Sequence, residues 1–219
     1  MIKEDKGLTH SLHRRGSEES LQNDYILLVT SAYGYNHEGA KEKLLKVLDV
    51  VFDAEPDNLG SNETGTIYSG VTIDEIRENL TEVPRVRCCF ASKEKMFKVL
   101  KKIHEMDLGL SVVISGLIDN VVNMANELHI KPHTVNLSLE VWGNVQTLPP
   151  EDVLEVVTMC GQGLVASGLV EKYLKDVSNG KISPRKAAEK VAHPCVCGFF
   201  NPDRAEKVFE KYAPQTVTV

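Results

Sequence analysis

Three cysteines occupy positions where sulfur chemistry is most easily done. Cys195 and Cys197 sit one residue apart in "AHPCVCGFFNPDRAEKVF", residues 192–209, and Cys160 sits in "TMCGQG". Both stretches read as short connections between helices, whereas a packing cysteine more often lies in the middle of an apolar element. Each connection feeds a helix N-terminus, whose unpaired N–H groups and dipole favour negative charge. A thiolate is the species that gains from such a position. Gly161, Gly163 and Gly198 beside the sulfurs allow close approach of backbone, and N–H donors around thiolate or sulfide are how proteins tune iron–sulfur sites.

Three thiolates suit a cluster whose remaining iron is left to water, substrate or a non-cysteine ligand. An iron with an open position acts as a Lewis acid on a hydroxyl, carboxylate or sulfur. The cysteine set therefore predicts a metal-site protein with an iron–sulfur cluster as cofactor, open to enzymatic use on a small anionic metabolite. Zinc is the competing metal, with His133 or His193 as fourth ligand, although Cys-Val-Cys is tighter than the two-to-four-residue spacing of zinc pairs. Two metal-free readings stand beside these. Cys195 and Cys197 could form a redox dithiol, or all the cysteines could fill crowded turns in a small-molecule-binding or regulatory protein. Cys88 and Cys89 are adjacent on an expected strand, so they point to opposite faces and cannot share a site; packing is their expected role.

The elements that must position these thiols alternate. "YILLVTSA" from Tyr25 is an apolar run, and Leu44, Leu45, Val47, Leu48, Val51 and Phe52 then recur at helical spacing. "GTIYSG" reads as a short strand, Thr72 with Glu75 as a capping box, "RVRCCFA" as a strand, and Ser92 as the cap of the next helix. "SVVI" reads as a strand buried on both sides because it lacks polar alternation. A helix follows over "LIDNVVNMANELHI", then a last strand over "HTVNLSLEVWG". Strand–helix alternation predicts an α/β fold with a roughly five-stranded, mostly parallel sheet flanked by helices; an α+β ferredoxin-like arrangement is the alternative. Beyond Pro149-Pro150 the chain reads as helices over 150–159, 164–178, 184–192 and 202–212, with Asn179-Gly180 as a stop, Ser183-Pro184 as a start and Asn201-Pro202 as another. The expected organisation is an N-terminal arm over 1–23, an α/β domain over 24–146 and a helical region over 147–219 carrying the cysteine site.

A chain of 219 residues can bury a core without disulfides. Its 42% hydrophobic and 26% charged residues are those of a globular protein, and the net charge of −6 argues against a nucleic-acid partner. No apolar run approaches a bilayer span and the first residues lack the apolar core of a signal peptide, so a cytoplasmic location without membrane contact is expected. The odd count of five cysteines then speaks against a disulfide framework. Self-association into a homo-oligomer is compatible with this composition.

In an open parallel sheet, ligands bind beyond the carboxyl ends of the strands. Those ends nominate Tyr35, Asn36 and His37 in "SAYGYNHEG", with Ser115 and Gly116 after strand four, as contacts for a small anion. The competing structural role is turn formation and helix capping by Asn36 and Ser115. His129 and His133 flank Pro132 and do not share a helix face, so a helical zinc pair does not apply. Trp142 is expected at the junction between the two regions.

Overall fold

Tyr25–Thr30 (β1) runs through the interior of a five-stranded sheet in the order β3-β2-β4-β1-β5. The computed structural model describes residues 14–61, 63–81, 85–136 and 142–214. After a short helix α1 (Glu18–Leu21) and β1, the chain passes through α2 (Ala40–Asp53), β2 (Asn58–Ser61), β3 (Gly65–Thr66) and α3 (Ile73–Glu78). It continues through β4 (Arg85–Phe90), α4 (Lys93–Met106), β5 (Ser111–Ser115) and α5 (Ile118–Glu127), then α6 (Glu151–Val157), α7 (Ser167–Ser178), α8 (Pro184–Ala192) and α9 (Pro202–Glu210).

Every strand pairing among the described residues is antiparallel. The mostly parallel sheet expected from the alternation is therefore corrected. The helical crossovers do join strands of like direction, as crossovers must, but each skips a neighbour: β4 lies between β1 and β2, and β1 lies between β4 and β5. Alternation in sequence reports strand direction, not adjacency. The resulting order is that of the split β-α-β-β-α-β arrangement, which is compatible with the α+β alternative.

Three strand expectations also shift. "SVVI" lies in β5 at the sheet edge, where Ser111 and Val112 are exposed rather than covered on both sides. "GTIYSG" contributes only Gly65–Thr66 before a 3-10 turn, Ile67–Ser69, and its partner β2 is the polar tetrad NLGS. Of the expected last strand, 133–136 has no regular structure and 137–141 lies outside the described residues.

One sheet face carries Tyr25, Leu27, Val29, Leu59, Val86, Cys88 and Phe90 into a core with Leu44, Val47, Leu48 and Val51 of α2 and Met96, Val99 and Ile103 of α4. Those helix residues recur every three or four positions, which is why the two helices lie down on this face. Ser92 caps α4 by accepting the Lys95 N–H at 3.2 Å, and Thr72 with Glu75 forms the expected capping box on α3. The C-terminal helices close a second core around Val156, Met159, Val170, Val191, Phe200 and Phe209, with Ser183 and Asn201 capping α8 and α9. No helix among the described residues is long and apolar enough to cross a membrane.

The other sheet face receives the 193–201 connection. Asn58 Nδ2 donates to Phe200 O at 2.9 Å and Cys89 Sγ donates to the same carbonyl at 3.3 Å. Backbone meets backbone at Gly60 and Gly198: a Cβ on Gly198, whose φ is +81°, would stand 2.4 Å from Gly60 N and 3.0 Å from Arg87 O. Neither position has room for a side chain. A second tie joins Asp57, just before β2, to Asp203 in the first turn of α9. Asp57 is pushed up to about 6 by burial and by its hydrogen bond with Asp203. Asp203, against its own burial, is held below the usual carboxylate range by that bond and by Arg185. Below about pH 6 one proton, on Asp57, therefore serves both carboxyls.

Two outcomes follow from this seam. The folded pKa of Asp57 exceeds its unfolded value, so its protonation stabilises fully below about pH 4 and that stabilisation is lost as pH rises through about 6. Asp57→Asn keeps an N–H donor toward Asp203 at every pH, so urea unfolding should show it more stable than the parent by about 1 kcal/mol at pH 8, the two converging below about pH 4. Gly198→Ala combines a left-handed backbone with the collision at Gly60 and should lower the unfolding free energy by about 2–4 kcal/mol.

Candidate functional site: a three-thiol centre

Cys160, Cys195 and Cys197 are 3%, 0% and 3% exposed and belong to one apolar cluster. Cys195 Sγ lies 3.7 Å from Cys197 Sγ, within thiol hydrogen-bond reach. Cys160 is close enough to Cys195 for each to shift the other's pKa. The connection before α7 and the connection after α8 thus bring their cysteines into one apolar cluster.

The donors around them come from the loops, not from the first turns of α7 and α9 as expected. The N–H groups of Gln162 and Leu164 act on Cys160, that of Phe200 on Cys195 and that of Phe199 on Cys197. Helices α7 and α9 start only at Ser167 and Pro202, so these N–H groups belong to the connections. Gly163, with φ +68°, allows the turn after Cys160.

These contacts grade the thiols. Cys160 is raised well above the ordinary thiol range by its interaction with Cys195 and by burial. At Cys195 the contact with Cys160 favours the thiolate, but the bond to Cys197 and burial prevail and raise it. Cys197 alone is lowered: the Cys195 thiol, the Phe199 N–H and the charge of Arg87 together outweigh its burial. Of the three, Cys197 is thus the one whose surroundings ease ionisation, and Arg87 of the sheet contributes to that.

Among the described residues no set of three or more His, Cys, Asp or Glu side chains stands in metal-ligating geometry. Cys195 and Cys197 lie within hydrogen-bond reach of each other, and ligation of a metal requires thiols to lose their protons first. The two histidines expected as a fourth ligand stand apart. His193 is the exposed C-cap of α8. His133 is exposed and engages Thr134 Oγ1 at 2.6 Å, in the 130–136 segment beside α4, α5 and β5.

The loop after β1 is occupied with its own closure. Asn36 accepts the Ala32 N–H and donates to Gly109 O, each at 2.7 Å, while His37 Nδ1 accepts the Gly34 N–H at 3.0 Å. Tyr35 is 91% exposed, and α2 begins after Gly39, with the Ala40 N–H donating to His37 O at 3.0 Å. Ser115 ends β5 and Gly116 follows it; β5 runs antiparallel to β1, so they lie at the opposite end of the sheet. The helix after them is preceded by Leu117 without a side-chain cap, and Gly116 stands against the Tyr25 ring. The structure does not bring Tyr35, Asn36 and His37 together with Ser115 and Gly116. Cys88 enters the first core and Cys89 the seam, and Trp142 is 78% exposed.

Residues not foreseen hold the thiol loops. Arg14, 1% exposed, forks onto Asp24 at 2.8 and 3.1 Å with Nη1, and with Nη2 donates to Met159 O at 3.0 Å and to Phe199 O. Those carbonyls belong to the residue before Cys160 and to the second residue after Cys197. Asp24 also accepts from Arg204 Nη1 at 2.7 Å, and Arg204 reaches Glu155 at 3.4 Å. A signal for Arg204 existed: it shares the buried stripe of α9 with Ala205, Val208 and Phe209. Arg14, in a polar stretch, carried none.

No protein-family model matches this chain, and neither a curated protein nor a solved structure matches it.

Arg14→Gln leaves Asp24 with one cation and releases both loop carbonyls. Breaking a buried pair from one side costs about 3–5 kcal/mol, which urea unfolding would read directly. Amide hydrogen exchange at Gln162, Leu164, Phe199 and Phe200 should accelerate more than at α2 or α4.

Proposed function

We propose that Cys160, Cys195 and Cys197 are the protein ligands of an iron–sulfur cluster that keeps one iron free of protein. The observation that carries this reading is the convergence of three buried thiols from two connections, with backbone N–H groups of Gln162, Leu164, Phe199 and Phe200 acting on the sulfurs. Such donors stabilise thiolates in an otherwise apolar pocket. A structural zinc site would require a fourth ligand, and His133 and His193 are both exposed. Three ligands leave the iron without cysteine available as a Lewis acid toward a small anionic substrate. Cluster loading expels thiol protons, and the raised Cys160 and Cys195 make that uptake weaken as pH falls.

A second reading has its own support: the 3.7 Å contact between Cys195 and Cys197, with Cys197 lowered. In that reading the pair closes to a disulfide, giving two electrons to an external disulfide that takes up the two protons as it is reduced.

Anaerobic purification, or reconstitution with ferrous iron and sulfide, separates these readings. The cluster predicts brown protein with about four irons per chain, a reduced-state electron paramagnetic resonance signal, and loss of both in Cys195→Ser. Colourless protein with stoichiometric zinc, or metal-free protein after reconstitution, overturns it. In the latter case, a two-hydrogen mass loss on mild oxidation that Cys197→Ser abolishes supports the dithiol.

A further inference from the structure

The helix layer leaves β5 partly uncovered. Strand register sets Val112 opposite Val29 and Ile114 opposite Leu27, so the two β5 residues point to the face that carries the first core. Val29 and Leu27 are fully buried there, whereas Val112 is 37% exposed and Ile114 only partly buried. The cause is where the helices lie: α2 and α4 pack on β1 and β4, and α5 packs beside β5. Between α4 and α5, over this strand, lies a cavity of about 430 Å³. Leu100 and Ile103 of α4 line one side, Val121 and Ala125 of α5 another, and Val112 with Ile114 the strand side, while the 130–136 segment completes the lining. That volume falls within the range of small-molecule sites, and a contiguous apolar surface left open in this way is a mark of a ligand groove.

The lining indicates the chemistry of the ligand. No Phe, Tyr or Trp is among the described residues around the cavity, so it offers branched aliphatic side chains to a saturated chain and no such ring to stack on a planar ligand. Polar groups stand at the exposed rim. Lys131, His104 and His133 bear nitrogens able to donate, against one carboxylate, that of Asp107 at the C-cap of α4. Donors outnumber the single acceptor charge, which favours an anionic head on an apolar body.

We propose that this cavity binds an aliphatic monocarboxylate, its chain along Val112, Ile114 and Val121 and its carboxylate held at the rim by Lys131. The site lies on the helix-covered face of the sheet, across from the connection that carries Cys195 and Cys197, so it is independent of the cluster reading. A chain enclosed by Leu, Ile and Val gains with each methylene it buries. The cation at an exposed rim contributes orientation more than affinity.

The full chain, free of metal, is titrated by calorimetry with hexanoate, octanoate and decanoate, each below its micelle-forming concentration, and with octanol and octylammonium. Saturable one-to-one binding of the carboxylates should tighten about fourfold per added methylene until the cavity is full. Among the eight-carbon ligands the affinity should fall from octanoate to octanol to octylammonium. Lys131→Gln should weaken octanoate several-fold and leave octanol unchanged. Val112→Phe puts a ring into the cavity from a position that is already exposed, so octanoate binding should be lost with parental circular dichroism; Lys131→Gln, in an exposed segment, keeps the test decisive if that variant misfolds. Absence of saturable binding by the parent, octylammonium binding as tightly as octanoate, or unchanged octanoate binding by folded Val112→Phe or by Lys131→Gln overturns the site. Iron content is measured on separate reconstituted samples, so either reading can fail alone.

Discussion

A buried group of four alternating charges, Arg14, Asp24, Arg204 and Glu155, holds this structure in register. It sums to zero, which is the condition under which charges can be taken out of water together. Its members come from the segment before α1, the residue before β1, and helices α9 and α6. Surrounding groups complete the set: Ser20 accepts from Arg204 Nε at 2.9 Å and donates to Glu155, and Asn201 donates to Asp24 at 3.0 Å. A buried ion pair seldom improves on well-packed apolar residues in net stability. Its contribution here is geometric, because the planar forks of Arg14 and Arg204 accept only one arrangement of the four segments.

From that arrangement the thiol centre inherits its shape. One nitrogen of Arg14 reaches the carbonyls of Met159 and Phe199, so the backbone on both sides of the cysteine loops is fixed by the same cation that anchors the sheet. The sheet supplies the floor, and because Gly60 and Gly198 lack side chains the main chains touch directly. The polarity of the centre follows: Cys160 sits among helical apolar residues and resists ionisation, whereas Cys197 faces the arginine-bearing strand and favours it.

Much of this was legible in the residues and some was not. The helices of the C-terminal region were readable because Ser183, Asn201, Pro184 and Pro202 punctuate them, whereas whether Cys160 comes near Cys195 and Cys197 depends on α7 and α8 folding back on each other, which spacing does not dictate. Strand adjacency was hidden, since a crossover constrains direction and any strand can intervene. β2 escaped notice because NLGS has neither length nor apolar content, its pairing being decided by β3 and β4. Charged residues were the largest omission. Arg14 and Arg87 look like surface residues until a distant partner gives them meaning, and periodicity carries no information about either.

The Arg14–Phe199 contact spans 185 positions of the chain. A ribosome that has made the sheet has not yet made the segment that accepts Arg14. During that interval Arg14 and Asp24 must wait partly hydrated, and contacts of such long range are slow to close. The thiol centre is thereby among the last parts of the molecule to take shape, after both cores have the means to collapse. Its cysteines become enclosed only once the chain has been made through α9, so their burial follows the folding of both cores.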